Sequence, residues 1–403
     1  MKILILNTFY YPNMQGGAEQ SVKLLAEGLV KAGHDVAVYC IDSKERRKEI
    51  VEINGVTVYR CTANKFNLYR FSYDKESIGK IEKVRQKLLC YRNVKCNKDF
   101  EEICEAFKPD VIHSNSVYGI SYIVWKAAYK KGIPLTHTIR DIGIVSPVQF
   151  SRKANPVLKS IHKVYMRHYS KYVLGVTAPS DYTLSTSLKT GCFRNARIKK
   201  KIYNSVEIDY EEFHHIMEEK KKRSSSHVKF MYAGRLIYFK GIKCMLDAFE
   251  KMRDKDCELH ICGDGEMLPE VMEQSEKNDK IVYCGKLDNQ ELKKKYIECD
   301  VLIVPSAWPE PFGRVVIEGN KYSLPVIAGD CGGIPEIYNV LNGGELFTPN
   351  DVLQLSEKMT CFLERDKIVS YFNHIEKNIG TFDITEQIKA YEFIYKDLIR
   401  RVL

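Results

Sequence analysis

Short apolar runs alternate along the chain with longer stretches of helical spacing. KILIL (2–6) has strand length and is followed by a Gly-containing loop. Over 18–32, Val22, Leu25, Ala26 and Leu29 recur at helical spacing, and Gly33 closes that element. DVAVYC (35–40) predicts the next strand, and residues 50–60 predict a hairpin around Asn54-Gly55. Polar segments with helical character cover 76–107. DVIHSN (110–115), PLTHTI (134–139) and YVLGVTA (172–178) predict further strands, with helical stretches between them.

A second series begins at KFMYAG (229–234). It continues through CELHIC (257–262), KIVYCG (280–285), DVLIVPS (300–306) and LPVIAG (324–329), again with helical segments between. Strands of four to seven residues alternating with helices predict parallel sheets with helices on both faces. The charged, Ser-rich stretch EEKKKRSSSH (218–227) reads as a surface connection, with the chain crossing between domains within 204–227. The last segment carries Ile388, Tyr391, Ile394, Tyr395 and Leu398 at helical spacing. The expected architecture is therefore two doubly wound α/β domains in tandem, which bind ligands at the carboxyl ends of their strands.

Length and composition agree with this. At about 100–200 residues per domain, 403 residues imply two or three domains. With 44% apolar and 28% charged residues, the chain can bury real cores. No apolar run approaches the ~20 residues of a spanning helix, and KILIL is too short for a signal-peptide core. A cytoplasmic location is the expectation. The 13 cysteines include no CxxC pair and are odd in number, which predicts reduced, mostly buried thiols and no metal site. The net charge of +10 conceals an asymmetry: residues 1–200 carry +17 and residues 201–403 carry −7. The two halves are expected to meet different partners.

Five constellations at predicted strand ends carry candidate chemistry. Gly16-Gly17-Ala18-Glu19 opens a helix, where glycines admit a ligand to the backbone and free N–H groups face an anion; a plain loop-to-helix turn explains it as well. Gly234-Arg235 with Lys240-Gly241 places two cations where a diphosphate can be neutralised; the alternative is two solvated charges at a helix start. Gly263-Asp264-Gly265-Glu266 marks a tight turn. In PSAWPEPFG (305–313), Glu310 lies in a Pro-bounded loop, Phe312-Gly313 opens a helix able to bind phosphate, and Glu318 can accept both hydroxyls of a ribose. Helix-dipole compensation is the competing explanation for Glu318. His137, in LTHTIRD, is either a structural strand-end histidine or a group at the reacting centre. No GxGxxG fingerprint occurs in a strand-to-helix context, which disfavours a dehydrogenase.

These motifs, in this order and joined by GGIPE (332–336) and Asn342-Gly343-Gly344, resemble glycosyltransferase family 4 over residues 2–348. The resemblance implies the GT-B fold: two Rossmann-like domains facing a cleft, with a C-terminal helix crossing back to the first. It implies an N-terminal acceptor-binding domain over 1–205 plus 383–403, and a donor-binding domain over 206–382. It also implies retaining transfer of a sugar from a nucleotide-sugar, UDP- or GDP-linked, to a lipid-linked or saccharide acceptor in surface polysaccharide assembly. By the same resemblance, Arg235 and Lys240 bind the donor diphosphate, and Glu318 binds the ribose. Glu310 and the Phe312–Gly313 backbone hold the sugar. Gly263 and Glu266 belong to the donor site, Gly17 lies against the diphosphate, and His137 touches the sugar near the reacting carbon. Ser180 and Asn204 match family positions less closely, and Asn115 stands where many members have His. The implied mechanism is front-face attack with no metal ion, because Arg235 and Lys240 supply the positive charge. No residue points to the acceptor.

Residues 151–172 hold six Lys/Arg and no acid, with Val157, Leu158, Ile161, Val164 and Tyr165 at helical spacing. This is the pattern of a helix resting on anionic membrane, or of a basic amphipathic core helix. No helix-turn-helix, finger or aromatic platform points to nucleic acid. Two other readings of the whole chain are a GT-B-fold nucleotide-sugar epimerase and a nucleotide-sugar-binding subunit without turnover.

Overall fold

The computed structural model describes residues 1–14, 16–43, 48–62, 88–141 and 156–400. It divides into two compact units: Met1–Asn204 together with the segment from Ile384, and Ser205–Asp383. Two sequence expectations fall partly elsewhere: positions 76–87 of the polar helical stretch and 151–155 of the basic segment lie outside the described residues.

The first unit is an eight-stranded sheet in the order β3-β4-β2-β1-β5-β6-β7-β8. Its strands are β1 (Lys2–Leu6), β2 (Asp35–Cys40), β3 (Glu49–Ile53), β4 (Val56–Arg60), β5 (Val111–Ser114), β6 (Leu135–Thr138), β7 (Gly175–Ala178) and β8 (Ile198–Lys201). All neighbours are parallel except β3 and β4, the hairpin turned at Asn54-Gly55, both with positive φ. The two-residue period of β1 sends Leu4 and Leu6 to one face and Ile3 and Ile5 to the other. Phe100, Trp125 and Phe193 cover the first face. The second is covered by Val22, Leu25 and Leu29 of the helix Gly17–Lys31 and by Tyr391, Ile394, Tyr395 and Leu398 of the helix Ile384–Arg400. Those two helices touch at Gly28, where Ile388 fills the space a side chain would need. Beneath the sheet edge, Arg60 and Asp42 form a buried ion pair at 2.6 Å, and the Asp42 carboxylate also accepts the Tyr10 N–H.

The second unit is a six-stranded parallel sheet in the order β11-β10-β9-β12-β13-β14. Its strands are β9 (Val228–Ala233), β10 (Cys257–Cys262), β11 (Ile281–Gly285), β12 (Val301–Val304), β13 (Val326–Gly329) and β14 (Gly344–Phe347). Counted within the unit this is 3-2-1-4-5-6, the doubly wound order whose direction reverses between β9 and β12. The loops that leave those two strands flank the reversal point.

Two strands lie outside the sequence reading. β8 reads IKKK and has one apolar residue; it is an edge strand, set by its ladder to β7 rather than by burial. β14 reads GELF and begins with a glycine that lies against the Val326 backbone. The stretch 218–227 is in part helical rather than a connection: its first residues finish the helix Tyr210–Lys221. The units divide between Asn204 and Ser205, at the start of the 204–227 span. Within that charged run Lys220 is buried, and its ammonium donates to the carbonyls of Tyr296 (2.9 Å) and Cys299 (2.6 Å). The two carbonyls lie at the C-terminal end of the neighbouring helix Asn289–Glu298, which a charge count cannot foresee.

Burial depresses the Lys220 pKa well below the ordinary lysine range; Arg223 acts the same way and Asp300 opposes. The unfolded chain therefore holds this proton more tightly than the folded one. Stability should rise with pH up to about 10.4, the ordinary lysine pKa. Urea unfolding of wild type and Lys220→Met across pH 7–10.5 checks this: the difference in unfolding free energy should grow in favour of wild type as pH rises. A constant difference would contradict it.

Candidate functional site

Three loops at the carboxyl edge of the second sheet pack against one another: Gly234–Gly241 after β9, Gly263–Glu266 after β10 and Pro305–Gly313 after β12. Their approach is backbone on backbone. A Cβ on Gly263 would lie 1.8 Å from the Gly234 carbonyl oxygen, and a Cβ on Gly241 would lie 1.8 Å from that of Pro305. Hydrogen bonds lace the loops together: Gly234 N to Cys262 O (3.0 Å), Leu236 N to Asp264 O (2.9 Å), Met267 N to Leu236 O (2.8 Å) and Ala307 N to Phe239 O (3.2 Å). Glu266 contributes by accepting the Tyr238 N–H at 3.3 Å.

Arg235 projects to solvent from the first loop, while its carbonyl is held by the Tyr232 hydroxyl. Lys240 and Glu310, 70 positions apart, form an ion pair at 2.5 Å, and the Ser306 hydroxyl donates to the same carboxylate oxygen at 2.5 Å. The Glu310 carbonyl accepts the Gly333 N–H at 2.8 Å. Glu310 is thus held from both its side chain and its backbone. Gly313, at φ 95°, caps the helix Arg314–Lys321, whose first N–H groups lie beside this loop. Phe312 is buried beneath, edging Phe382. Glu318, one turn into the helix, receives Arg314 Nε at 2.7 Å, and Arg314 also donates to the Ser205 carbonyl at 2.8 Å. The fold therefore gathers Arg235, Lys240, Gly263, Glu266, Glu310, Phe312, Gly313 and Glu318 on one edge. Two cations and a helix start can neutralise a diphosphate there, and two carboxylates can accept sugar hydroxyls.

Sequence reasoning missed Ser306 and Arg314, the groups that hold Glu310 and Glu318. Ser306 stands within the Pro-loop motif, four residues before Glu310, and Arg314 directly follows it, four before Glu318. Only the second spacing carries a helical rule.

In the first unit, Gly17 is exposed at the start of its helix, and the Glu19 carboxylate accepts the Gly16 N–H at 3.0 Å. His137 is 4% exposed. Its ring lies against Trp125 and Phe193, with Nδ1 paired to the Ser114 hydroxyl at 2.9 Å. Burial drives its pKa down to about 3, with Ser114 opposing and Arg140 adding to the shift, so the ring is neutral. These are the surroundings of a core histidine, the structural one of its two sequence readings. Three residues on, Arg140 takes the strand-end position. Its guanidinium donates to Asn115 Oδ1 at 3.0 Å and to Asn204 Oδ1, tying together the ends of β5, β6 and β8. The Arg-Asp pair directly after the apolar run was the available signal. Ser180 caps the helix Asp181–Leu188 through the Thr183 N–H.

The helix Pro156–Ser170 is present as expected. Its Met166 is buried, whereas Val157, Ile161 and Val164 are 62%, 57% and 66% exposed on one face. No helix among the described residues is long and apolar enough to cross a membrane.

Comparison with known proteins places this geometry. Residues 15–210 match the Glycosyltransferase Family 4 model, and residues 215–378 match the Glycosyl transferases group 1 model. An uncharacterized 42.6 kDa protein in the cps region of Klebsiella pneumoniae is 30% identical over 350 residues, 85% of this chain and 88% of its own. An uncharacterized glycosyltransferase of Methanocaldococcus jannaschii is 28% identical, covering 84% and 82%. Among solved structures, sucrose-phosphate synthase from Thermosynechococcus elongatus superposes with TM-score 0.76 at 16% identity, covering 99% of both chains. Anabaena HepE in complex with UDP and glucose superposes at 0.68 and 18%, covering 98% and 100%.

The close contact at Gly263 has a measurable consequence. Gly263→Ala must push the loops after β9 and β10 apart, at a cost of about 2–3 kcal/mol in unfolding free energy. Urea denaturation measures it; a change below about 0.5 kcal/mol, the usual size of a neutral surface substitution, would show the loops to be independent.

Proposed function

The chain belongs to the glycosyltransferases of group 1 and family 4, with two Rossmann-like α/β domains of the GT-B fold, and on that footing we propose that it transfers a sugar, with retention, from a UDP- or GDP-sugar to a hydroxyl of a lipid-linked or saccharide acceptor. The observation that carries this reading is the edge where Arg235, the Lys240–Glu310 pair and the helix start at Gly313 converge. The donor diphosphate lies against Arg235, Lys240 and those N–H groups. The ribose meets Glu318, and the sugar meets Glu310 and the Phe312–Gly313 backbone. The second unit takes the donor and the first takes the acceptor.

In the reaction, the acceptor oxygen attacks the anomeric carbon on the face from which the diphosphate leaves. The bond from that carbon to phosphate oxygen breaks, and the acceptor proton passes to the departing phosphate. Negative charge grows on the leaving group, and fixed cations stabilise it most at that moment. Lys240 begins in the grip of Glu310, so donor binding shares the ammonium between carboxylate and phosphate. The Ser306 hydroxyl keeps the carboxylate in place meanwhile. Two side-chain cations supply the charge, so a divalent ion is not needed for binding.

Surface polysaccharide assembly is the proposed setting, supported by the cps-region relative. The helix Pro156–Ser170 supports a peripheral hold on the inner face of the plasma membrane. There, exposed Val157, Ile161 and Val164 are flanked by exposed Lys159, Lys163 and Arg167.

A thermal-shift panel of UDP-, GDP- and ADP-sugars with chelator tests the donor site. At a hundred times the dissociation constant the native state gains about 2.7 kcal/mol. One nucleotide class should raise the midpoint, and Arg235→Ala should abolish the rise. Glu310→Ala should keep donor binding and lower transfer at least ~100-fold, the size of losing one strong transition-state contact. No shift with any donor would sink the reading. For the membrane contact, sedimentation should show binding to anionic but not neutral vesicles, lost in Ile161→Glu/Val164→Glu; equal binding to both vesicles would refute it.

A further inference from the structure

A second cluster of reactive groups lies in the same unit, two strands from the reversal point. β10 and β11 pair in register through His260↔Val282 and Ile261↔Tyr283, and then slip so that Cys262 meets Gly285. Cys284 is the extra residue of this bulge on an edge strand. A bulge re-aims a side chain, and here it turns the thiol onto His260. Cys284 Sγ lies 3.8 Å from His260 Nδ1, and His260 Nε2 pairs with Glu258 at 2.9 Å. Lys295 Nζ approaches the same Nδ1 at 3.4 Å, held by Glu298 at 2.8 Å. His227 reaches the far side of Glu258 at 3.3 Å. Cys262, on β10, pairs with Gly285, the residue that follows Cys284.

Ten of the thirteen cysteines are buried; Cys284 is one of two half-buried thiols, and Cys361 is exposed. We propose that Cys284 and Cys262 form a peroxide-sensitive dithiol, in which His260 and Lys295 hold the reactive Cys284 sulfur and Cys262 resolves it. The Cys284 thiolate attacks hydrogen peroxide, breaking the O–O bond and giving Cys284 sulfenic acid and hydroxide. The Cys262 sulfur then attacks the sulfenic sulfur, and its proton leaves with the sulfenic oxygen as water. Two thiols are oxidised to one disulfide while one peroxide is reduced to two waters. Cys262 pairs with Gly285, next in the chain to Cys284, across a strand spacing of about 4.8 Å.

Charge supports the assignment of roles. Cys262 hydrogen bonding holds the Cys284 pKa below the ordinary thiol range against burial, with His260 and Lys295 helping. The Cys262 pKa moves up, by that same bond and by burial. The first step requires the Cys284 thiolate; in the second, the Cys262 thiol must give up its proton to the departing sulfenic oxygen as it attacks.

The bond would form beside the donor site. Gly234 N donates to Cys262 O, Gly263 N donates to Gly285 O at 2.8 Å, and the Tyr283 hydroxyl donates to Gly263 O at 3.1 Å. Drawing β10 and β11 together at the bulge pulls directly on the Gly263 turn. This consequence rests on the donor-site reading; the dithiol itself does not.

The test treats reduced full-length protein with hydrogen peroxide, then maps thiols by alkylation, digestion and mass spectrometry. Wild type should yield one peptide pair joined through Cys262 and Cys284 and lighter by two hydrogens. Cys262→Ser should leave a dimedone adduct on Cys284. Oxidation confined to exposed Cys361, or no such pair, overturns the proposal. A second readout is the pH profile of Cys284 alkylation. It should change less than about threefold from pH 8.5 to 6.5, where a small-molecule thiol loses about tenfold per unit. Lys295→Met should steepen it; a profile as steep as the control overturns the thiolate assignment. Peroxide should also abolish the nucleotide-sugar thermal shift in wild type, reversibly with dithiothreitol, and not in Cys284→Ser. A disulfide that leaves donor binding unchanged overturns the coupling. Reduced protein that binds no donor ends the donor-site reading, while the mass spectra still decide the dithiol.

Discussion

The candidate site depends on a contact between main chains. Where the loops after β9 and β10 meet, the Gly234 carbonyl oxygen occupies the space of a missing Cβ on residue 263, and the Pro305 oxygen does the same at 241. A parallel sheet delivers its strand ends about 4.8 Å apart, too close for side chains to separate the turns that follow. Removing the Cβ atoms lets each turn bond to its neighbour's backbone. Three loops then behave as one rigid edge. Arg235, Lys240 and Glu310 hold their geometry because the peptide units beneath them cannot slide.

Electrostatics refines that edge. Lys240 and Glu310 neutralise one another at 2.5 Å, and Ser306 orients the carboxylate. Each group is thus pre-positioned by a partner it must partly give up. Such an arrangement limits the reorganisation that charge development demands. Glu318 is under the same kind of restraint from Arg314, whose other end is anchored on the Ser205 carbonyl. Neither carboxylate is a free acceptor waiting in solvent.

How much of this could be read from the chain varies with the physics involved. Strands that are buried on both faces, such as KILIL and CELHIC, announce themselves because burial selects apolar residues. IKKK does not, because an edge strand is held by main-chain hydrogen bonds that any sequence supplies. Lys220 was misread for a related reason: composition weighs a lysine as solvated, while two stray carbonyls can solvate it just as well. The Pro-loop, the glycine pairs and Glu318 were legible as motifs because their spacings carry backbone requirements. The Lys240–Glu310 pair was not, since 70 residues separate its members and only the strand order brings them together. His137 sits inside β6, which is buried on both faces, whereas Arg140 lies just beyond its end, where a side chain can reach the neighbouring strand ends. The bulge at Cys284 left no trace in the pattern at all.

The helix Ile384–Arg400 completes a core begun by the first strand, with Tyr391, Ile394, Tyr395 and Leu398 sealed against Ile3 and Ile5. On the ribosome, this places the two units in an unexpected order. The second unit has all of its strands once Phe347 emerges and all of its chain by Asp383, so it can close while synthesis continues. The first unit, although made earlier, waits for the helix Ile384–Arg400 to cover the part of that sheet face which the helix Gly17–Lys31 does not. At roughly 5–20 residues per second, that part of the apolar face is unprotected for many seconds. A nascent chain of this architecture therefore shows its stickiest surface early, and for most of its time in the making.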